Sequence, residues 1–564
     1  MISRRVCGVG KIDDLANRYV AEWAPLNPIG STWVGIPGRD DQLDDFSPDG
    51  YAASADLTRR TLAELATLEP AGAGEAVAKD AMQERLGLDL TRYEAGDTTS
   101  DLSVIASGMH SIRQVFDLMP TEGEEAVANI AARLGQIPRA VAQYQRTLLE
   151  QADAGNVSAR AQMLALADMC DTWTDPARDD FFHGLAGRLG AGGALDAELR
   201  RNAGAATAAT AGFAEFLRTE LAPRGRDREA AGRERYERAS QYFLGARVDQ
   251  HETYAWGFEE LHRLEQEMRA VAAEIAGPGA SIDEAVATLD ADPARRIPGK
   301  EAFRDWMQAL ADKAISELHG THFDIPEQVR RIECCLAPTS DGAIYYTGPS
   351  EDFSRPGRMW WAVPEGMTEF STWREVTTVY HEGVPGHHLQ VAQTQVRAEL
   401  LNRWQRLLCW SSGHGEGWAL YAERLMDDLG YLADPGDRLG MLDGQALRAT
   451  RVIVDIGMHL ELEIPRDNPF GFHPGERWTP ELGWEFLRAH CRMEDEVLRF
   501  EWKRYLGWPG QAPSYKVGER IWLQARDDAK ARHGAAFDLR AFHRDALNLG
   551  SLGLDPFRRA LARI

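Results

Sequence analysis

Between Tyr380 and Gln390 the chain reads YHEGVPGHHLQ, which places His381, Glu382, His387 and His388 within eight positions. Neutral imidazoles and carboxylates are zinc ligands in hydrolytic sites, and such a site also needs a carboxylate to take a proton from the attacking water. This segment supplies both kinds of group. The chain has 15 His in 564 residues, so a lone His-Glu neighbour pair is expected by chance. Three His and one Glu around a Pro-Gly are harder to assign to packing. Pro385 and Gly386 have no use in a plain helix, whose interior they destabilise by roughly 3 and 1 kcal/mol.

The spacing departs from HExxH, in which two His one turn apart share a helix face. Position 385 is Pro, which cannot ligate. In a regular helix His387 would lie roughly 240° around the axis from His381. His388 would share the face of His381 but about 10 Å further along. Ligands of one zinc stand only about 3–4 Å apart, so an undistorted helix cannot form the site. Pro385 lacks an N–H and clashes with the preceding turn, and Gly386 tolerates unusual dihedrals. A two-residue bulge there brings His387 to the place of the second His; His388 is the alternative ligand.

A third ligand is sought in Gly413–Glu423, GHGEGWALYAE. Glu416 follows His387 by 29 residues and opens a helical pattern in which Trp418, Leu420, Tyr421 and Leu425 recur at apolar spacing. A Glu one helix downstream completes a His₂Glu zinc site. Glu423 comes seven residues later on the same face, where it can orient an imidazole. Glu382 is then the general base.

HEGVPGHHLQ followed by EGWALYAE resembles the bacterial domain of unknown function 885 family, over most of the chain and best from about Tyr345 to Arg526. The resemblance implies a mainly helical fold and a distant likeness to zincin metallopeptidases, with the third ligand supplied as in gluzincins. It implies one Zn²⁺ and peptidase activity on a small peptide or peptide-like amide. The helical first half would wall a cleft that limits substrate size. The resemblance includes the SYK-x-G pattern at Ser514–Gly518. By likeness to late Tyr residues of zinc peptidases, Tyr515 is the candidate donor to a developing oxyanion.

Further candidates flank this segment. Thr450–Glu461 reads as a buried helix with Arg451, Asp455 and His459. Asp455 and His459 are four apart and share a face, either as a structural pair or as an active-site wall. Lys516 and Arg451 are candidates for a substrate carboxylate. Ala343–Thr347 and Met359–Val363 are short aromatic runs between turn residues, expected as strands of a small sheet beside the active-site helix. A strand edge there would suit an extended peptide.

The elements that must position these groups are mostly helices. Asp13–Trp23, Asp56–Ala66, Ala73–Leu86, Asp101–Asp117, Glu124–Ala152 and Ala159–Asp171 carry apolar recurrence at three and four. Arg226–Glu237 reads as a charged helix face, Tyr254–Ala276 as a long amphipathic helix, and Ser281 with Glu284 as a capped start. A junction is expected near Arg296–Gly299, giving a scaffold half, 1–295, and a catalytic half, 296–564, which also suit one cooperative body.

A net charge of −24 argues against a nucleic-acid partner, since phosphate binding relies on basic surface. No run approaches the 18 or so apolar residues of a membrane helix, and the first twenty residues lack a signal-type apolar stretch. Six scattered Cys without a CxxC indicate neither a Cys-zinc site nor a disulfide framework. The expectation is a cytoplasmic protein, with no membrane partner and with a homodimer as an option. Two other classes stand beside the peptidase. One is a zinc hydrolase of a non-peptide amide or ester, and the other is a helical binding protein with a vestigial metal site.

Overall fold

Apolar recurrence at three and four becomes helix through most of the chain: Lys11–Leu26, Pro48–Thr67, Ala73–Glu94, Glu124–Asp153, Arg160–Thr174 and Gly193–Phe216. The computed structural model describes residues 10–178, 180–190, 192–337, 344–364 and 366–563. Helices hold 69% of the chain beside two small sheets, so the fold is mainly α.

Two expected helices shrink where other bonds take up their backbone. Asp101–Asp117 keeps only Gly108–Gln114 and the 3₁₀ turn Val115–Asp117. Ser103 Oγ accepts from the N–H groups of Ile105 and Ala106, and Ser107 caps the helix through His110 N; such local bonds compete with helix. Arg226–Glu237 begins as helix only at Arg233, because the Arg226 backbone pairs with Ser158 and Arg160. The capping box at Ser281–Glu284 forms as expected.

Seven helices matter for the site: α1 (Gln250–Ala276), α2 (Thr372–Glu382), α3 (His387–Val396), α4 (Ser412–Asp428), α5 (Pro435–Leu460), α6 (Asp495–Gly507) and α7 (Ser514–His533). Helix α4 packs along α7, α1 along α5, and α2 against both α4 and α5. Helices α4 and α5 are buried on nearly all sides, which is the mark of a core helix and not of a surface one. The α4–α7 crossing is close enough for backbones to touch. A Cβ on Gly417 would overlap the Gly518 backbone, and one on Gly518 would overlap Gly413 O. The glycine of the SYK-x-G pattern therefore has a packing role.

The strands are β1 (Arg296–Pro298), β2 (Ile332–Leu336), β3 (Tyr345–Thr347), β4 (Gly357–Trp361) and β5 (Glu369–Ser371). Strand β4 lies between β2, parallel to it, and β3, antiparallel, with Cys334 and Tyr346 opposite Met359. Strands β1 and β5 form a separate antiparallel pair that leads into α2. The expected strand at 343–347 starts at Tyr345, and Ala343 lies outside the described residues. The strand expected at Met359–Val363 runs two residues earlier at each end. Strand β4 borders α3, so the sheet does lie beside the candidate segment.

One apolar core runs from Ile12 and Leu86 through Leu264 and Met268 to Trp418, Ile453, Trp522 and Phe557. It crosses the expected junction at 295–296, which is therefore not a boundary between cores. A second core, from Ile29 to Ala222, lies wholly within the first half.

Candidate metal centre

The Pro-Gly segment breaks the helix instead of bulging it. Helix α2 ends at Glu382 and α3 starts at His387. Gly386 N donates to Tyr380 O at 3.0 Å, His388 N to Gly383 O at 3.1 Å, and Trp418 Nε1 to Pro385 O at 2.9 Å. A Cβ on Gly386 would overlap His381 O, so only glycine fits this fold-back. The return brings the His381 and His387 rings to a centroid separation of 4.8 Å at 90°.

His381, Glu382 and His387 each bring a ligand atom within 4.8 Å of the others, and all three are buried. Glu416, in the first turns of α4, joins this group. Its Oε2 stands 3.4 Å from His381 Nε2 and 3.4 Å from His387 Nε2. Tetrahedral coordination with bonds of about 2.0–2.1 Å separates ligand atoms by about 3.4 Å.

The rear of the group is closed by hydrogen bonds. Glu423 Oε1 accepts from His381 Nδ1 at 2.7 Å, and Glu423 Oε2 accepts from Thr377 Oγ1 at 2.7 Å. The front is not. Glu416 Oε2, Glu382 Oε2 and His387 Nδ1 are buried without a hydrogen-bond partner. Buried polar atoms of native proteins are nearly always satisfied, so the two orphan carboxylate oxygens fit a bound cation and its water, whereas His387 Nδ1 lies on the far side of its ring from Nε2. Burial disfavours the His381 imidazolium, but Glu416 and Glu423 outweigh it and raise the pKa to about 10. Burial raises the Glu382 carboxyl above its usual range, against the pull of His387 and His381. Burial acts likewise on Glu416, yet its two histidines hold it well below.

The alternative ligand, His388, is not brought to this group. Its Nδ1 meets Tyr346 OH at 2.9 Å and its Nε2 donates to Val329 O at 2.7 Å, so both ring nitrogens are engaged. Lys516 is buried among Gln445, Glu519 and Glu260, the last at 3.0 Å. Arg451 donates to Tyr505 OH at 2.6 Å and to Glu501 Oε2 at 2.7 Å. These cations are neutralised by protein and so are corrected from substrate binding to core support. Asp455 and His459 do not bond each other, their nearest approach being 3.8 Å. Asp455 instead takes Tyr236 OH and Gly510 N, while His459 joins Ala231 N to Tyr505 O. Tyr515 OH accepts from Arg504 at 3.4 Å, its ring lies under Arg451 at 4.9 Å, and it is not part of the cavity wall beside Glu416.

The site contacts of Thr377, Tyr346, Trp410 and Trp418 are not read from sequence. Thr377 sits one turn before His381, a spacing that could have pointed to it. Trp418 was seen only as part of an apolar pattern; its indole N–H pins the chain break. Tyr346 was seen only as part of an aromatic strand, and Trp410, whose ring lies 6.4 Å from that of His387, carries no local signal.

Among the described residues, no helix is long and apolar enough to cross a membrane. Two solved structures share the fold. One is described as "the putative lipoprotein from Colwellia psychrerythraea", with TM-score 0.83, 21% identity and 98% of each chain covered. The other is "a putative lipoprotein of unknown function from Shewanella oneidensis", with TM-score 0.73 and 16% identity, covering 98% of this chain and 100% of that one. No curated protein matches the chain. The family model described as "Bacterial protein of unknown function (DUF885)" matches residues 28–561, and the chain belongs to that family.

Proposed function

We propose that the protein is a zinc-dependent hydrolase of the metallopeptidase kind, of carboxypeptidase, dipeptidase or oligopeptidase type, with a zincin-like site. The observation that carries this reading is the convergence of His381 Nε2 and His387 Nε2 on Glu416 Oε2, 3.4 Å from each, with an unpartnered Glu382 oxygen in the same group. His381, His387 and Glu416 would hold one zinc ion. Zinc bound there supplies Lewis-acid polarisation of a carbonyl and makes a water more acidic. Glu382 takes the proton of the attacking water on its free carboxylate oxygen and passes it to the leaving amine. Glu423 fixes the His381 ring through Nδ1 and leaves Nε2 for the cation. A non-catalytic site would have no need of Glu382.

The test is metal analysis after chelation and zinc add-back, combined with a peptide library screen. One zinc per chain and zinc-dependent amide cleavage are expected. Stoichiometric zinc with cleavage confined to esters or non-peptide amides would redirect the reading. No zinc uptake at all would leave a binding protein.

For the compartment we propose the cytoplasm, on the ground that the five described cysteines are free. The solved neighbours are described as lipoproteins, and osmotic-shock fractionation separates the two locations.

A further inference from the structure

A cavity of about 740 Å³ opens beside Glu416, within the range of about 300–1,000 Å³ that holds small organic ligands. Its wall runs through the first half of the chain, from Leu26 to Tyr144, and returns through Trp410, Glu416 and Trp508. Two of its tryptophans are left open: Trp33 is 47% and Trp410 is 44% exposed. Trp410 rests on Gly415, where any Cβ would overlap its ring, and so lies between the candidate centre and the cavity.

Charge in this wall is unbalanced. Arg85 is saturated, paired with Glu84 and donating to Tyr242 O at 2.8 Å. Arg92 pairs with Asp101 at 3.1 Å and covers the Tyr242 ring at 4.1 Å. Asp44 uses one oxygen on Ile29 N, and Asp45 uses one on Ser47 N. Arg133 acts on Asp44 from outside the wall, but it also faces Asp40 and Asp41, and it donates to the carbonyls of Gln42 and Arg39. Three carboxylates thus share one guanidinium. Burial pushes the Asp44 carboxyl up to about 6 against the Ile29 N–H and Arg133, so its charged form gains from a further cation.

We infer that the cavity binds the amino-terminal part of a short peptide. Its protonated amino group lies on the Asp44–Asp45 side and its apolar side chains lie against Trp33 and Trp410. The inference rests on the hydrolase reading only for the direction of the peptide, with the scissile bond at the Glu416 end. Acidic groups beside aromatic faces favour an ammonium through charge and cation–π attraction. The two arginines do not compete for a peptide carboxylate, because each already has a carboxylate partner.

The test uses the full chain carrying Glu382→Gln, so that binding is read without turnover. Zinc-loaded protein is titrated calorimetrically with tri-leucine and with N-acetyl-tri-leucine. One charge-assisted hydrogen bond corresponds to about tenfold or more in affinity, so the free amine should bind at least about tenfold more tightly. In Asp44→Asn/Asp45→Asn protein that preference should fall to about twofold or less. Exposed Asp45→Asn alone should halve the logarithm of the preference, and it serves if the double variant does not fold. Equal affinities, an unchanged preference in the variants, or no binding of either peptide would overturn the inference. The expected preference in a protein whose wild type cleaves no peptide would instead refute the hydrolase reading and leave the cavity assignment standing.

Discussion

His381 Nδ1 meets Glu423 Oε1 at 2.7 Å while its Nε2 faces Glu416 Oε2 at 3.4 Å. One imidazole is thus held between two carboxylates on a single helix, seven residues apart. An ionised carboxylate only accepts hydrogen bonds, so Glu423 draws the ring proton to Nδ1 and leaves the Nε2 lone pair for a cation. Removing such a partner typically weakens metal binding about 10–100-fold. Glu423→Gln should do so in a chelator competition assay, with the helical CD spectrum unchanged; an affinity equal to wild type would remove Glu423 from this role.

Glu382 is buried beside the two histidines with one oxygen unpartnered. Glu382→Gln should keep zinc and lose turnover by about 10²–10⁴-fold, the usual range for a positioned acid–base group. Metal content and hydrolysis rate are measured on the same preparation. Unchanged turnover would exclude Glu382 as the base.

The neighbouring histidines should separate cleanly. His387→Ala should abolish stoichiometric zinc and also lower the melting temperature of the metal-free protein, because buried Glu416 loses one of its two histidines. His388→Ala should retain zinc but destabilise the fold by about 1–3 kcal/mol, because Tyr346 OH and Val329 O lose their partner. Zinc analysis and urea unfolding of both variants decide, and the opposite pattern would reverse the assignment.

Gly386 packs its α-carbon against the His381 carbonyl. Gly386→Ala should lower the unfolding free energy by about 3 kcal/mol, at the upper end of ordinary overpacking, and should impair zinc binding with it. A variant of wild-type stability would mean that this turn yields more easily than its contacts indicate.

Glu501 carries a pH dependence. Burial disfavours its charge, but Arg504, Arg451 and Tyr505 hold its pKa down at about 2, against 4.5 for a free glutamate. A carboxyl with a depressed native pKa contributes stability that is fully present above the unfolded value and lost as pH falls through the folded one. The stability gap between wild type and Glu501→Gln should be full above about pH 5 and close progressively towards pH 2, as read from thermal unfolding at each pH. A gap independent of pH over that window would dissociate Glu501 from the arginine network.

Much of the scaffold was legible because helix periodicity is local. The spans at Asp13, Glu124 and Ala159 lie within a few residues of the observed helices, since burial of one face depends on residues three and four apart. One loss was also local, where Ser103 and Ser107 bonded nearby backbone in an apolar pattern that suggested helix, and the other was distant, where the Arg226 backbone paired with Ser158 and Arg160. The glycine of SYK-x-G was legible as a motif but not as what it is, a point where α7 touches α4.

His381, Glu382 and the Pro-Gly interruption were determined by sequence alone, because residue chemistry and the limits of helix geometry do not depend on distant neighbours. Only the tertiary structure decided between His387 and His388, brought Glu416 to both imidazoles, and withdrew Arg451, Lys516, Asp455 and His459 into the core. Those outcomes turn on which buried polar atoms find partners across packed helices. Partnering of this kind joins residues tens to hundreds of positions apart, where no spacing rule along the chain applies.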